Sequence, residues 1–184
     1  CVGTSAPFDV TEVVLTPAIT GVQDFCVGSS INLGVSNGPY AAYQWSTGSS
    51  APEVSISGGT YTVTVTDING CTKSASAFAP ATPLPTASFY ATPQQALISA
   101  PIITFVNASS PDAITFQWDF AGFGNSSEEN PIFEFSEPGF WDVTLQVWNF
   151  LGCTSTATQT IEIKPQSEIY IPNAFTPNGD GLNE

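Results

Sequence analysis

Residues 60–67 read TYTVTVTD, with threonine at every second position and Tyr61, Val63 and Val65 between them. A strict period of two sends one residue class to each face of an extended strand, whereas a helix would scatter both classes around its axis. The alternation recurs in FWDVTLQVWN (140–149), where Trp141, Val143, Leu145 and Val147 form the inward set. It recurs again in ITFQWDF (114–120), with Ile114, Phe116, Trp118 and Phe120 inward. No window carries a helical period, and fifteen glycines and fifteen prolines punctuate the strand-like runs. Short strands with frequent turn signals predict an all-β chain built of sandwiches.

The strands are organised as a repeat. YQWSTG (43–48) precedes GGTYTVTVTDINGCTKSASAF (58–78), and FQWDFAGFG (116–124) precedes PGFWDVTLQVWNFLGCTSTATQTIEI (138–163). Each unit runs aromatic-Gln-Trp, a loop, Gly-x-aromatic-x-Val, then Gly-Cys-Thr and a closing strand rich in small residues. The loop is longer in the second unit. The proline-rich APATPLP (79–85) reads as a stiff linker between them. The opening CVGTSAPFDV matches the segments after Gly70 and Gly152, each a cysteine, small polar residues and an alternating strand. Residues 1–14 are therefore expected to be the closing strand of a preceding module. The expected division is then a sandwich over 15–82, a second over 86–164, and a linker with the start of a further domain over 165–184.

Composition narrows the function classes. Sixteen acidic residues face two basic ones, Lys73 and Lys164, for a net charge of −14. Phosphate backbones are gripped by Lys and Arg, so nucleic acid is excluded as a partner, and so is an anionic membrane surface. No run approaches the length of a membrane-spanning helix. Histidine is absent, which excludes Ser-His-Asp and Cys-His chemistry and imidazole-bound zinc. Any metal would be a hard cation held by oxygen.

Of the four cysteines, Cys26 and Cys71 flank the strands of the first unit, and a bridge between them would tie the ends of a small sandwich. Loop-closure entropy for such a span is about 4 kcal/mol. The reading is of a staple formed in an oxidising compartment. Cys153 stands where Cys71 does, without a second cysteine in its own unit, and no C-x-x-C spacing supports a metal site.

FQWDFAGFGNSSEENPIFEFSEPGFWDVTLQVWN (116–149) resembles the PKD domain, an immunoglobulin-like β-sandwich of microbial surface proteins. Trp118, Asp119, Phe120, Asn130, Pro131, Pro138, Gly139, Trp141, Val143, Thr144, Leu145, Val147 and Asn149 carry the match. AGFG stands where the family has Gly-Asp-Gly, so one acidic residue of that loop is missing. The first unit is similar to related Ig-like repeats, and the resemblance implies tandem immunoglobulin-like/PKD β-sandwiches. The tail IYIPNAFTPNGDGLNE (169–184) resembles the opening of the gliding-motility-associated C-terminal domain of Bacteroidetes surface proteins. Pro172, Asn173, Phe175, Thr176, Pro177, Asn178, Gly179, Asp180 and Gly181 form that motif. The resemblance implies a type B sorting signal for type IX secretion, with the translocon and an outer-membrane anchoring protein as partners. It further implies an extracellular, cell-surface location and a non-catalytic stalk of a large gliding adhesin. Accessory modules of a secreted hydrolase, or a glycan-binding module, are the alternative readings.

Asn178, Asp180 and Gly181 also fit part of a calcium loop, although Thr176 stands where the first Asp belongs, and the same residues suit an ordinary turn. Calcium is the one cofactor considered, and no other is expected. Glu128, Glu129, Glu134 and Glu137, with Asp119 and Asp142, read as a solvated loop rather than a catalytic pair. Trp148 lies on the polar side of its strand, and Tyr40, Phe123 and Phe140 are further candidates for exposure. Such aromatics either stack on surface glycans or pack against a neighbouring module.

Overall fold

The computed structural model describes residues 14–166. It is all-β, and its strands fall into two compact units. Among the described residues, the first runs to Leu84 and also includes the five residues Asn149–Cys153; the second holds Pro85–Trp148 and the stretch from Thr154 to residue 166.

In the first unit, β1 (Ala18–Thr20), β3 (Ile31–Ser36) and β5 (Glu53–Ile56) make one antiparallel sheet in the order β1-β3-β5. β4 (Ala42–Trp45), β6 (Gly59–Thr66) and β7 (Thr72–Ala79) make the other, in the order β4-β6-β7. The short strands β2 (Phe25–Cys26) and β8 (Ala81–Thr82) pair in parallel. The alternation read in the sequence is obeyed along β6, where Val63 and Val65 are fully buried. They close a core with Phe25, Ile31, Leu33, Trp45, Ile56 and Ala79. Burying a side chain of this kind contributes about 1.5–3 kcal/mol.

In the second unit, β9 (Phe89–Thr92), β11 (Ile102–Asn107) and β14 (Ile132–Glu134) form a sheet in the order β14-β11-β9. Facing it is a five-stranded sheet in the order β10-β16-β15-β12-β13. Its strands are β10 (Gln95–Leu97), β12 (Thr115–Phe120), β13 (Asn125–Ser126), β15 (Gly139–Trp148) and β16 (Thr154–Lys164). The core between the sheets is aromatic: Phe89, Phe105, Trp118, Phe120 and Phe135 are all 2% exposed or less. Trp118 meets Phe89 edge-on at 5.0 Å, and Phe120 stacks on Phe133 at 4.1 Å.

Three expectations about packing need correction. Ile114 is 60% exposed, not inward. It precedes β12, where the chain leaves a turn closed by the Ala113 N–H on the Ser110 carbonyl, and Ala113 takes the buried position. Phe123 is not exposed, because Ala121 (φ 54°) and Gly122 (φ 83°) reverse the chain and fold its ring back edge-on against Trp141 at 4.7 Å. Tyr40 is half-buried and packs against the first core, edge-on to Tyr43 at 5.8 Å. Phe140 is exposed, as expected.

Candidate functional site

The hairpins β6–β7 and β15–β16 end in the same turn. In the first, Asp67 donates its backbone N–H to the Cys71 carbonyl (2.9 Å), and Gly70 donates to the Asp67 carbonyl (3.1 Å). In the second, Asn149 donates to Cys153 (3.0 Å) and Gly152 to Asn149 (2.9 Å). The side chains repeat as well. Asp67 Oδ1 accepts the N–H groups of Asn69 (2.9 Å) and Cys71 (2.8 Å), and Asn149 Oδ1 accepts those of Leu151 (3.1 Å) and Cys153 (3.0 Å). Asx side chains that cap their own turn in this way compensate donors the strands cannot reach. Gly70 and Gly152 supply the left-handed residue the turn requires, at φ 83° and 80°.

The two turns differ in what they hold. Cys153, 2% exposed, is bonded to Cys26 with Cα atoms 5.5 Å apart, and Asn149 Nδ2 donates to the Pro83 carbonyl at 3.3 Å. These contacts make the turn Asn149–Cys153 part of the first unit, although in sequence it joins two strands of the second. The expected Cys26–Cys71 bridge is therefore wrong. Cys71 is exposed and forms no disulfide among the described residues. The sulfur of Cys26 is taken instead by Cys153, 127 residues along the chain. The disulfide itself, as a staple, stands.

Asp67 is 9% exposed, and its Oδ2 has no hydrogen-bond partner among the described residues. It lines a recess of about 440 Å³ together with Asn69, Ile68, Leu15, Asn37 and Tyr40.

A second candidate lies on the outer face of the five-stranded sheet. Gln117 and Asp119 on β12, Thr144 and Gln146 on β15, and Asn125 on β13 line an open recess of about 450 Å³. The register sets Gln117 opposite Gln146 and Asp119 opposite Thr144. Trp148 continues the same outward phase one pleat beyond Gln146, opposite Thr115, and is half-buried. Amide and carboxylate groups offer paired donors and acceptors suited to vicinal hydroxyls, and an indole offers an apolar plane.

Glu128, Glu129, Glu134 and Glu137 are exposed, as a solvated loop would be. Among the described residues no group of three or more acidic or cysteine side chains is placed to hold a metal ion. Asn178 and Asp180, and the whole Pro172–Gly181 motif, lie outside the described residues. What sequence reading missed is the Asx turn. Asp67 and Asn149 stand three residues before Gly70 and Gly152 in each copy, and that spacing was available in the sequence.

No family model matches the chain. Among solved structures, the chain is similar to the PKD1 domain of the Vibrio cholerae metalloprotease PrtV, at 27% identity over 44% of this chain and 98% of that one, with a TM-score of 0.39. It is similar to the PKD1 domain of Vibrio anguillarum Epp at 26% identity, over 45% of this chain and 96% of that one, with a TM-score of 0.40. A Ca²⁺-stabilised ice-binding adhesin of an Antarctic bacterium matches over 87% of this chain and 51% of its own, at 11% identity and a TM-score of 0.54. That last likeness is one of fold alone.

Proposed function

We propose that the chain is a non-catalytic stalk segment of a large, secreted cell-surface adhesin, with the residues from 165 onward leading into a type B sorting domain for type IX secretion. The observation that carries the reading is the turn built twice, with the same backbone and side-chain hydrogen bonds, because a module repeated in this detail serves as a spacer unit. The buried disulfide supports an extracellular setting, and the tail's resemblance to the sorting domain supports the route and gliding as the use. The test removes the region from Ile169 onward in the natural protein and follows surface display by antibody labelling of intact cells. Loss of surface signal with accumulation inside the outer membrane is expected; undiminished display would overturn the sorting assignment.

The open recess lined by Gln117, Asp119, Asn125, Thr144 and Gln146 favours a second reading, glycan binding by the second sandwich. Neutral sugars suit a face carrying Asp119 on a chain of net charge −14. A glycan array with the unaltered chain and with Trp148→Ala checks it, and no binding by either would remove it.

A further inference from the structure

The two copies of the turn are alike in every hydrogen bond inside them and unlike in what lies outside them. The second turn has a seat: Cys153 is bonded to Cys26 of β2, and Asn149 Nδ2 meets the Pro83 carbonyl. The first turn presents the same two positions without occupants among the described residues, a free thiol at Cys71 and an orphaned oxygen at Asp67 Oδ2. An oxygen buried to this degree draws a donor, since its desolvation is otherwise uncompensated. Ile68, at 90% exposure, projects from the tip between them, as Phe150 does from the second turn at 75%.

We propose that the turn Asp67–Cys71 is a docking element, seated on a preceding β-sandwich of the same build and fixed there by a disulfide between Cys71 and a cysteine in the position that Cys26 occupies in the first unit. The inference rests on the tandem-array reading above. The turn Asn149–Cys153, held in the first unit by the bond from Cys153 to Cys26, supplies the pattern. The partner site is defined by chemistry visible at Cys26. Cys26 follows the buried Phe25 on a two-residue strand, and its carbonyl accepts the Ser29 N–H at 3.0 Å as the chain turns away. One difference is expected. Where Asn149 donates to a carbonyl, a carboxylate at Asp67 would be repelled by one, so the preceding module presents an N–H or hydroxyl instead. Bond formation joins the two sulfurs; the two thiols give up two protons and two electrons to a disulfide oxidant, which leaves as its dithiol.

The experiment is a disulfide map of the whole natural protein. Free thiols are capped with iodoacetamide, the protein is digested without reduction, and linked peptides are identified by mass spectrometry. The expected result is a peptide containing Cys71 linked to a cysteine that follows an aromatic residue in the sandwich before residue 15, at least tenfold above capped Cys71. In the same protein carrying Cys71→Ser, capping of that upstream cysteine rises at least tenfold. Predominantly capped Cys71, a link to Cys1, a link between two copies of Cys71, or unchanged capping in the variant would each overturn the proposal. A preceding sandwich present with Cys71 capped removes this inference alone, whereas the absence of any preceding sandwich removes the array reading with it.

Discussion

In the first sandwich, Trp45 is the last residue of β4 and lies opposite Val63. In the second, Trp118 lies opposite Leu145, and β12 continues through Asp119 to Phe120, which reaches Val143. Counted from the shared turn, Val63 and Leu145 are equivalent, so the second hairpin is one pleat longer at its far end. The added length admits β13, a larger sheet, and Phe120 with its stacked partner Phe133. Among the described residues twelve side chains form the second core and eight the first, and it is the first unit that carries the disulfide. A small core depends on covalent help that a larger one can do without.

The strongest way to break that contrast is to empty both cores. Trp45→Ala and Trp118→Ala each remove a buried indole that donates to a backbone carbonyl, Trp45 Nε1 to Ala51 and Trp118 Nε1 to Glu128. Each is expected to cost about 3–5 kcal/mol. In urea titrations followed by circular dichroism, Trp45→Ala should leave its sandwich unfolded at lower denaturant than Trp118→Ala leaves the other. The reverse order would show that core size does not separate the two.

Replacing both Cys26 and Cys153 with serine tests the covalent half of the contrast. A loss of about 2–5 kcal/mol is expected in the transition of the first unit, and an unchanged midpoint there would mean that its eight-residue core suffices. Asn149→Ala strips the acceptor for two backbone N–H groups and the donor to Pro83, with an expected cost of about 1–2 kcal/mol; Asp67→Ala should cost less, because it also removes a buried oxygen without a partner among the described residues. Gly152→Ala forces a side chain into the left-handed region with open space around it, for about 1 kcal/mol. The smallest effect is expected on the outer faces, where Thr64→Ala deletes one hydroxyl pair with Ser74 and costs about 0.2–1 kcal/mol.

The period of two and the repeat made both sandwiches legible, because alternation is a local property and survives into the fold wherever two sheets face each other. Legibility ended where local rules gave way. Ile114 keeps the alternation on paper but lies before its strand, and Phe123 is glycine-flanked yet folded inward by two positive φ angles. The disulfide partner was hidden for a different reason. Cys71 and Cys153 both stand in Gly-Cys-Thr at the end of an Asx turn, and only the path of the chain beyond each turn decides which one meets Cys26, across a separation of 127 residues. Trp148 lies in the outward phase of β15, but the polar residues that line the recess, Gln117, Asp119, Asn125, Thr144 and Gln146, come from three strands, and their meeting depends on register.

The hydroxyl pairs on the outer faces, Thr62 with Ser76, Thr64 with Ser74 and Thr144 with Thr158, have a consequence for the medium in which the protein can work. Ion pairs weaken as dissolved salt screens them, over about 8 Å at physiological strength and far less in brine. Bonds between neutral hydroxyls have no charge to screen. Among the described residues a single ion pair, Lys164 with Glu162, is exposed to that loss. The cross-strand ladders are thus built to hold equally in fresh water and in the sea.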